Sequence, residues 1–151
     1  MRMPRRHRVA VYVIVGVLWL SGCGWLYLDQ FLELRGPFGA VPHPWQAPLL
    51  LIHGVAGVIS LYLFGWIGAR HILHWWIVGL RRLSGGSLAA LFALLVVSGF
   101  ALFFLSDDAW QHRTVLIHDS IGLAITLFAM QHWFLGRRNR RAAARIPYIS
   151  R

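Results

Sequence analysis

Carboxylates are scarce in this chain of 151 residues: Asp29, Glu33, Asp107, Asp108 and Asp119 are the only five. The relay groups on which ion-coupled transporters depend are therefore essentially missing from its apolar stretches. Cysteine is rarer still. Cys23 stands alone, which excludes an intrachain disulfide and a thiolate metal cluster. Lysine is absent, and arginine supplies all fifteen basic side chains. No G-x-x-x-x-G-K-[ST] loop, H-E-x-x-H helix or G-x-S-x-G elbow occurs, so phosphate-loop, zinc-protease and serine-hydrolase chemistries find no support, and no catalytic residue is assigned.

What the chain has is apolar length. It is 58% hydrophobic and 14% aromatic. Four stretches, at about 9–28, 48–69, 87–105 and 115–136, approach the ~20 apolar residues that cross a ~30 Å hydrocarbon core. Backbone groups in lipid must be satisfied within the segment, so each stretch predicts a helix. The expected fold is an all-α integral membrane four-helix bundle, a single membrane domain over 1–151 with a basic tail from 137 to 151.

The net charge of +10 invites a nucleic-acid reading, which the placement of the arginines rejects. Arg2, Arg5, Arg6 and Arg8 precede the first span. Arg70, Arg81 and Arg82 lie between the second and third. Arg137, Arg138, Arg140, Arg141, Arg145 and Arg151 follow the fourth. Only Arg35 and Arg113 fall on the other side, where all five acids lie. This bias predicts cytoplasmic termini, basic tails against anionic lipid headgroups, and no nucleic-acid partner. The expected location is a bacterial cytoplasmic (inner) membrane, crossed several times. Leu20-Ser21-Gly22-Cys23 resembles a lipoprotein cleavage box, but Trp25 to Leu28 continue the apolar run. The segment is expected to be a retained first helix.

Between the spans, residues 35–44 are rich in Gly and Pro and predict irregular, turn-rich structure outside the membrane. Residues 71–86 begin amphipathic, turn basic and end in Leu83-Ser84-Gly85-Gly86, expected to break the chain before the third helix. Ser106-Asp107-Asp108 marks an outer turn. A short repeat links the second and fourth spans: Leu51-Ile52-His53 with Gly57, and Leu116-Ile117-His118 with Gly122, both read L-I-H-x-x-x-G.

Histidine carries the functional signal, because an intramembrane imidazole is costly without a partner. His118 and His132 are fourteen residues apart, a rise of ~21 Å and ~40° short of whole turns. His53 and His71 are eighteen apart, ~27 Å and five whole turns. Each pair occupies one helical face, and heme iron held by two imidazoles needs such faces on opposing helices. The pairing predicted is His53 with His118 near the outer surface and His71 with His132 near the inner one. His74, ~60° off the face, rivals His71. Gly57, Gly122 and Gly136 each follow a histidine by one turn, which lets a flat macrocycle approach the backbone; ordinary helix packing explains them too. Zinc or copper fits two levels ~20 Å apart less well than two macrocycles. His7, His43 and His112 are expected to be solvated in tails or loops. Asp119 is expected at headgroup level, and Arg70, Arg113 and Arg137 suit either propionate pairing or plain solvation.

In His71-Ile72-Leu73-His74-Trp75, Leu83-Ser84-Gly85-Gly86, Ser98-Gly99-Phe100, His118 with Gly122 and His132 with Gly136, the chain resembles the small four-helix diheme cytochrome b family over about 50–138. That family includes the membrane cytochrome b subunits of bacterial respiratory oxidoreductases such as formate dehydrogenase and hydrogenase. The resemblance implies heme b, two copies or one, on His53, His118, His132 and either His71 or His74. It also implies electron transfer between a quinone and other subunits of a redox complex. The expected function is thus an electron-transfer subunit of a respiratory chain rather than an enzyme alone. The alternatives are a pigment-binding or structural subunit of a photosynthetic or respiratory complex, and a cofactor-free membrane interaction protein.

Overall fold

In a computed structural model, residues 4–68 and 82–144 are described, and they form two compact units. The first holds helix α1 (Arg5–Phe31), strands β1 (Leu34–Gly36) and β2 (Gly39–Val41), and helix α2 (Gln46–Ile67). The second holds helix α3 (Arg82–Ala101) and helix α4 (Asp108–Ala144). All four helices are long and apolar enough to cross a membrane, as the hydropathy predicts. Among the described residues, Ala56 is the one buried apolar side chain, whereas Tyr12, Leu51, Val97 and Leu127 are exposed. Water does not favour such a surface, but a lipid solvent does, and helices in lipid associate through small residues and hydrogen bonds.

Each unit is an antiparallel helical hairpin. In the first, His7 of α1 stacks on Trp66 of α2, while fifteen or so residues further along α1 Gly22 abuts His53 and Gly24 abuts Leu49. In the second, Gly99 abuts His118, Gly122 abuts Leu95, and Ser84 reaches His132. Positions that advance along one helix retreat along the other, which sets the register of both pairs.

The connections differ from the sequence expectations in informative ways. Residues 35–44 are not wholly irregular: β1 and β2 pair antiparallel, Leu34 opposite Val41 and Arg35 opposite Ala40. Pro37 and Phe38 form the turn, and Gly39 follows at φ +124°, a backbone region open to glycine. Leu83-Ser84-Gly85-Gly86 does not break the chain but lies in the first turns of α3, where the Cβ position of Gly85 stands 4.0 Å from His132 of the neighbouring helix. Helix α3 ends at Ala101, short of 105, and Phe103 and Phe104 close a turn on Phe100 and Ala101. Helix α4 begins at Asp108 because Asp107 Oδ1 accepts the Trp110 N–H at 2.9 Å, an N-terminal cap, with Asp108 favouring the positive end of the helix dipole. It runs past 136 through the arginine-rich segment to Ala144, so the basic tail starts as helix.

Candidate functional site

Three histidines stand at helix contacts inside these hairpins, and all three make the same kind of contact. His53 Nδ1 lies 3.1 Å from Ser21 Oγ and 3.0 Å from the Leu18 carbonyl. His118 Nδ1 lies 2.9 Å from Ser98 Oγ. His132 Nδ1 lies 3.1 Å from Ser84 Oγ. Each serine belongs to the helix preceding that of its histidine, and each is followed by glycine. An added Cβ would meet the His53 ring at 3.1 Å on Gly22, the His118 ring at 3.0 Å on Gly99, and the His132 ring at 4.0 Å on Gly85. The chain contains three Ser-Gly dipeptides, and every one of them lies against an imidazole.

The local chemistry explains the pairing of residue types. Serine in a helix donates its hydroxyl to a carbonyl one turn back. Ser21 Oγ donates to the Val17 carbonyl at 2.6 Å, and Ser98 Oγ to the Leu94 carbonyl at 2.7 Å. With their protons so used, both oxygens turn a lone pair outward to the histidine. Glycine beside them leaves the width of an imidazole ring between the helices. Ser21 and Ser98 are among the few buried residues described, at 4% and 9% exposure.

The second hairpin carries two such contacts in step. Ser84 and Ser98 are fourteen residues apart on α3, as are His118 and His132 on α4. Antiparallel helices of equal rise bring the two pairs together at levels ~21 Å apart. The first hairpin repeats the Ser98–His118 contact only. Fourteen residues before Ser21 stands His7, and it stacks on Trp66 at 4.1 Å between ring centroids with 7° between planes. His7 is thus helical and packed, not a solvated tail residue, and its Nδ1 is buried without a hydrogen-bond partner. His112 is likewise on a helix, exposed on α4. His43 is the loop residue expected, and its Nδ1 accepts the Trp45 N–H at 3.2 Å.

The other residues singled out in the sequence are placed as follows. His71, His74, Arg70 and Arg81 lie outside the described residues. Gly57 has nothing within 4 Å of where a Cβ would stand, Gly122 would touch Leu95 at 3.8 Å, and Gly136 is buried. Asp119 is half-buried beside His118. Arg113 stacks over Trp110 at 5.2 Å and Arg137 over Trp133 at 4.6 Å, aromatic partners that the sequence reading did not assign.

Among the described residues, no three His, Cys, Asp or Glu side chains converge to hold a metal ion. A porphyrin asks less of a chain, since it brings four nitrogens of its own and takes one or two axial imidazoles. The donor set suits that demand: three half-buried imidazoles, each anchored through Nδ1, so that Nε2 points to the other side of the ring. Compared with protein families, curated proteins and solved structures, the chain matches none, and the site stands on its own geometry.

Proposed function

We propose that this chain is a b-type membrane cytochrome that relays electrons between a quinone and a redox partner subunit in a bacterial cytoplasmic membrane. His53, His118 and His132 are the ligands this reading assigns within the described residues, with His71 or His74 as a fourth. One observation carries it: each of the three Ser-Gly dipeptides cradles one of these imidazoles and engages its Nδ1. Ligating histidines characteristically donate their other ring N–H to a protein acceptor, which orients the ring. Imidazoles kept only for helix packing have no need of the same cradle three times. Heme would supply one-electron reduction and oxidation of its iron; the chain would supply the imidazole nitrogens that hold it, an apolar surround and arginines that suit propionates. Gly57, open at its Cβ position, belongs to the proposal as a point where a macrocycle approaches the backbone, whereas Gly122 faces Leu95 and Gly136 is buried.

The test is a dithionite-reduced minus oxidised spectrum of the purified protein. Sharp b-type bands are expected. Protein that holds no iron-porphyrin when expressed with ample heme would overturn the reading, and extractable magnesium-porphyrin would transfer the same imidazoles to a pigment-binding subunit.

A further inference from the structure

The partners at Nδ1 constrain the hydrogen-bond roles of two of these rings. The Leu18 carbonyl can only accept, so His53 Nδ1, 3.0 Å away, carries the proton that joins them. Ser21 has one hydroxyl proton and gives it to the Val17 carbonyl, so its oxygen also accepts from Nδ1–H. Ser98 repeats the serine part of this arrangement: its proton goes to Leu94, and its oxygen, 2.9 Å from His118 Nδ1, accepts. Neutral imidazole carries one proton, so in both rings the lone pair falls on Nε2. The carbonyl one turn before Ser84 lies outside the described residues, so only His53 and His118 are assigned.

We infer that Ser21 and Ser98 are positioning residues that hold His53 and His118 in the Nδ1–H tautomer, each making its imidazole an Nε2 donor. The identity of the acceptor, heme iron, rests on the function proposed above; the tautomer does not. Histidine free in water favours the opposite tautomer, with its proton on Nε2, so the cradle acts against the intrinsic preference. A serine that itself donates to a carbonyl is a polarised, stronger acceptor, because hydrogen bonds in a chain reinforce one another. It draws on the Nδ1 proton and raises the basicity of Nε2, the effect known for partners of metal-bound histidine. A more basic ligand nitrogen would favour ferric over ferrous iron in a bound heme.

The experiment uses the full-length protein in lipid nanodiscs with 15N-labelled histidine. In heme-free protein at neutral pH, the His53 and His118 signals, assigned by their loss in His53→Gln and His118→Gln, are expected to show a protonated Nδ1 and an unprotonated Nε2. A predominant Nε2–H form at both rings would overturn the inference. In heme-loaded protein poised where the wild type is half reduced, Ser98→Ala is expected to raise the reduced-to-oxidised ratio about tenfold, ~59 mV for one electron. Ser98→Thr, which keeps the hydroxyl, returns it toward wild type. A heme-bound Ser98→Ala protein with unchanged ratio and unchanged 15N pattern would also overturn the inference. Should the preparation refuse heme altogether, the cytochrome reading fails while the 15N pattern still decides the tautomer.

Discussion

Gly99→Ala is the sharpest probe of the cradle. Its new Cβ would stand 3.0 Å from His118 Cε1, closer than ordinary contact, and at ordinary contact distances of 3.5 Å from Nδ1 and 3.9 Å from Nε2. The ring cannot retreat freely, because its Nδ1 is held 2.9 Å from Ser98 Oγ on the same helix as the added methyl. Overpacking of this kind costs about 1–3 kcal/mol. Alanine in place of a helical glycine returns about 1 kcal/mol of backbone propensity. The net expectation is a destabilisation of about 0–2 kcal/mol, together with displacement of the His118 ring. Gly16→Ala is the reference: nothing lies within 4 Å of its Cβ position, so only the propensity gain remains. The two variants should therefore differ by about 1–3 kcal/mol in opposite senses. Gly22→Ala, whose Cβ would meet the His53 ring at 3.1 Å, should follow Gly99→Ala. Reversible unfolding in mixed detergent micelles, with the His118 15N signals recorded alongside, measures both effects. Equal stabilities for Gly99→Ala and Gly16→Ala, with His118 signals unmoved, would refute the cradle geometry.

Three further outcomes are expected. His118→Ala and His132→Ala, at levels ~21 Å apart on α4, should each remove one heme and spare another if two are bound, as read by heme-to-protein ratio; loss of both from either change would contradict separate levels. Trp66→Ala removes the ring stacked on His7 and should lower stability by about 0.5–1.5 kcal/mol beyond the lost contact area, measured by the same unfolding method against a Tyr62→Ala control on the exposed face of α2. Gly39→Ala forces a side chain onto φ +124°, costing about 1–3 kcal/mol locally; hydrogen exchange should rise across 34–41 while the helices keep their protection.

Much of the architecture was legible in the residue order. Long apolar runs in a chain with so few carboxylates leave helices as the economical way to satisfy the backbone, and all four appear. Their ends were less legible, since capping decides them: the Asp107 side chain starts α4 seven residues before the apolar run does. The loop after α1 looked irregular because Gly and Pro mark turns without revealing that the residues between them pair. Of the candidate site, the histidines stood out by cost and spacing, and so did the likeness of His53 to His118. Their serine partners did not, although Ser21-Gly22, Ser84-Gly85 and Ser98-Gly99 were in plain view. They had other readings available: a cleavage box, a helix break and a family motif.

Composition and periodicity alone determined that the chain makes four apolar helices with imidazoles spaced along single helical faces, because hydropathy and the 3.6-residue turn are properties of each segment by itself. Which side chain meets each imidazole was decided only by tertiary structure. Ser21 and His53 are 32 residues apart, Ser98 and His118 are 20 apart, and Ser84 and His132 are 48 apart. The Ser21–His53 and Ser98–His118 pairs differ by twelve residues in separation across connections of unlike length, one of which contains the β1–β2 hairpin, so no constant spacing reveals the repeat. The contacts arise from how far each loop lets one helix slide along the other, and that register is a property of the folded pair rather than of either helix.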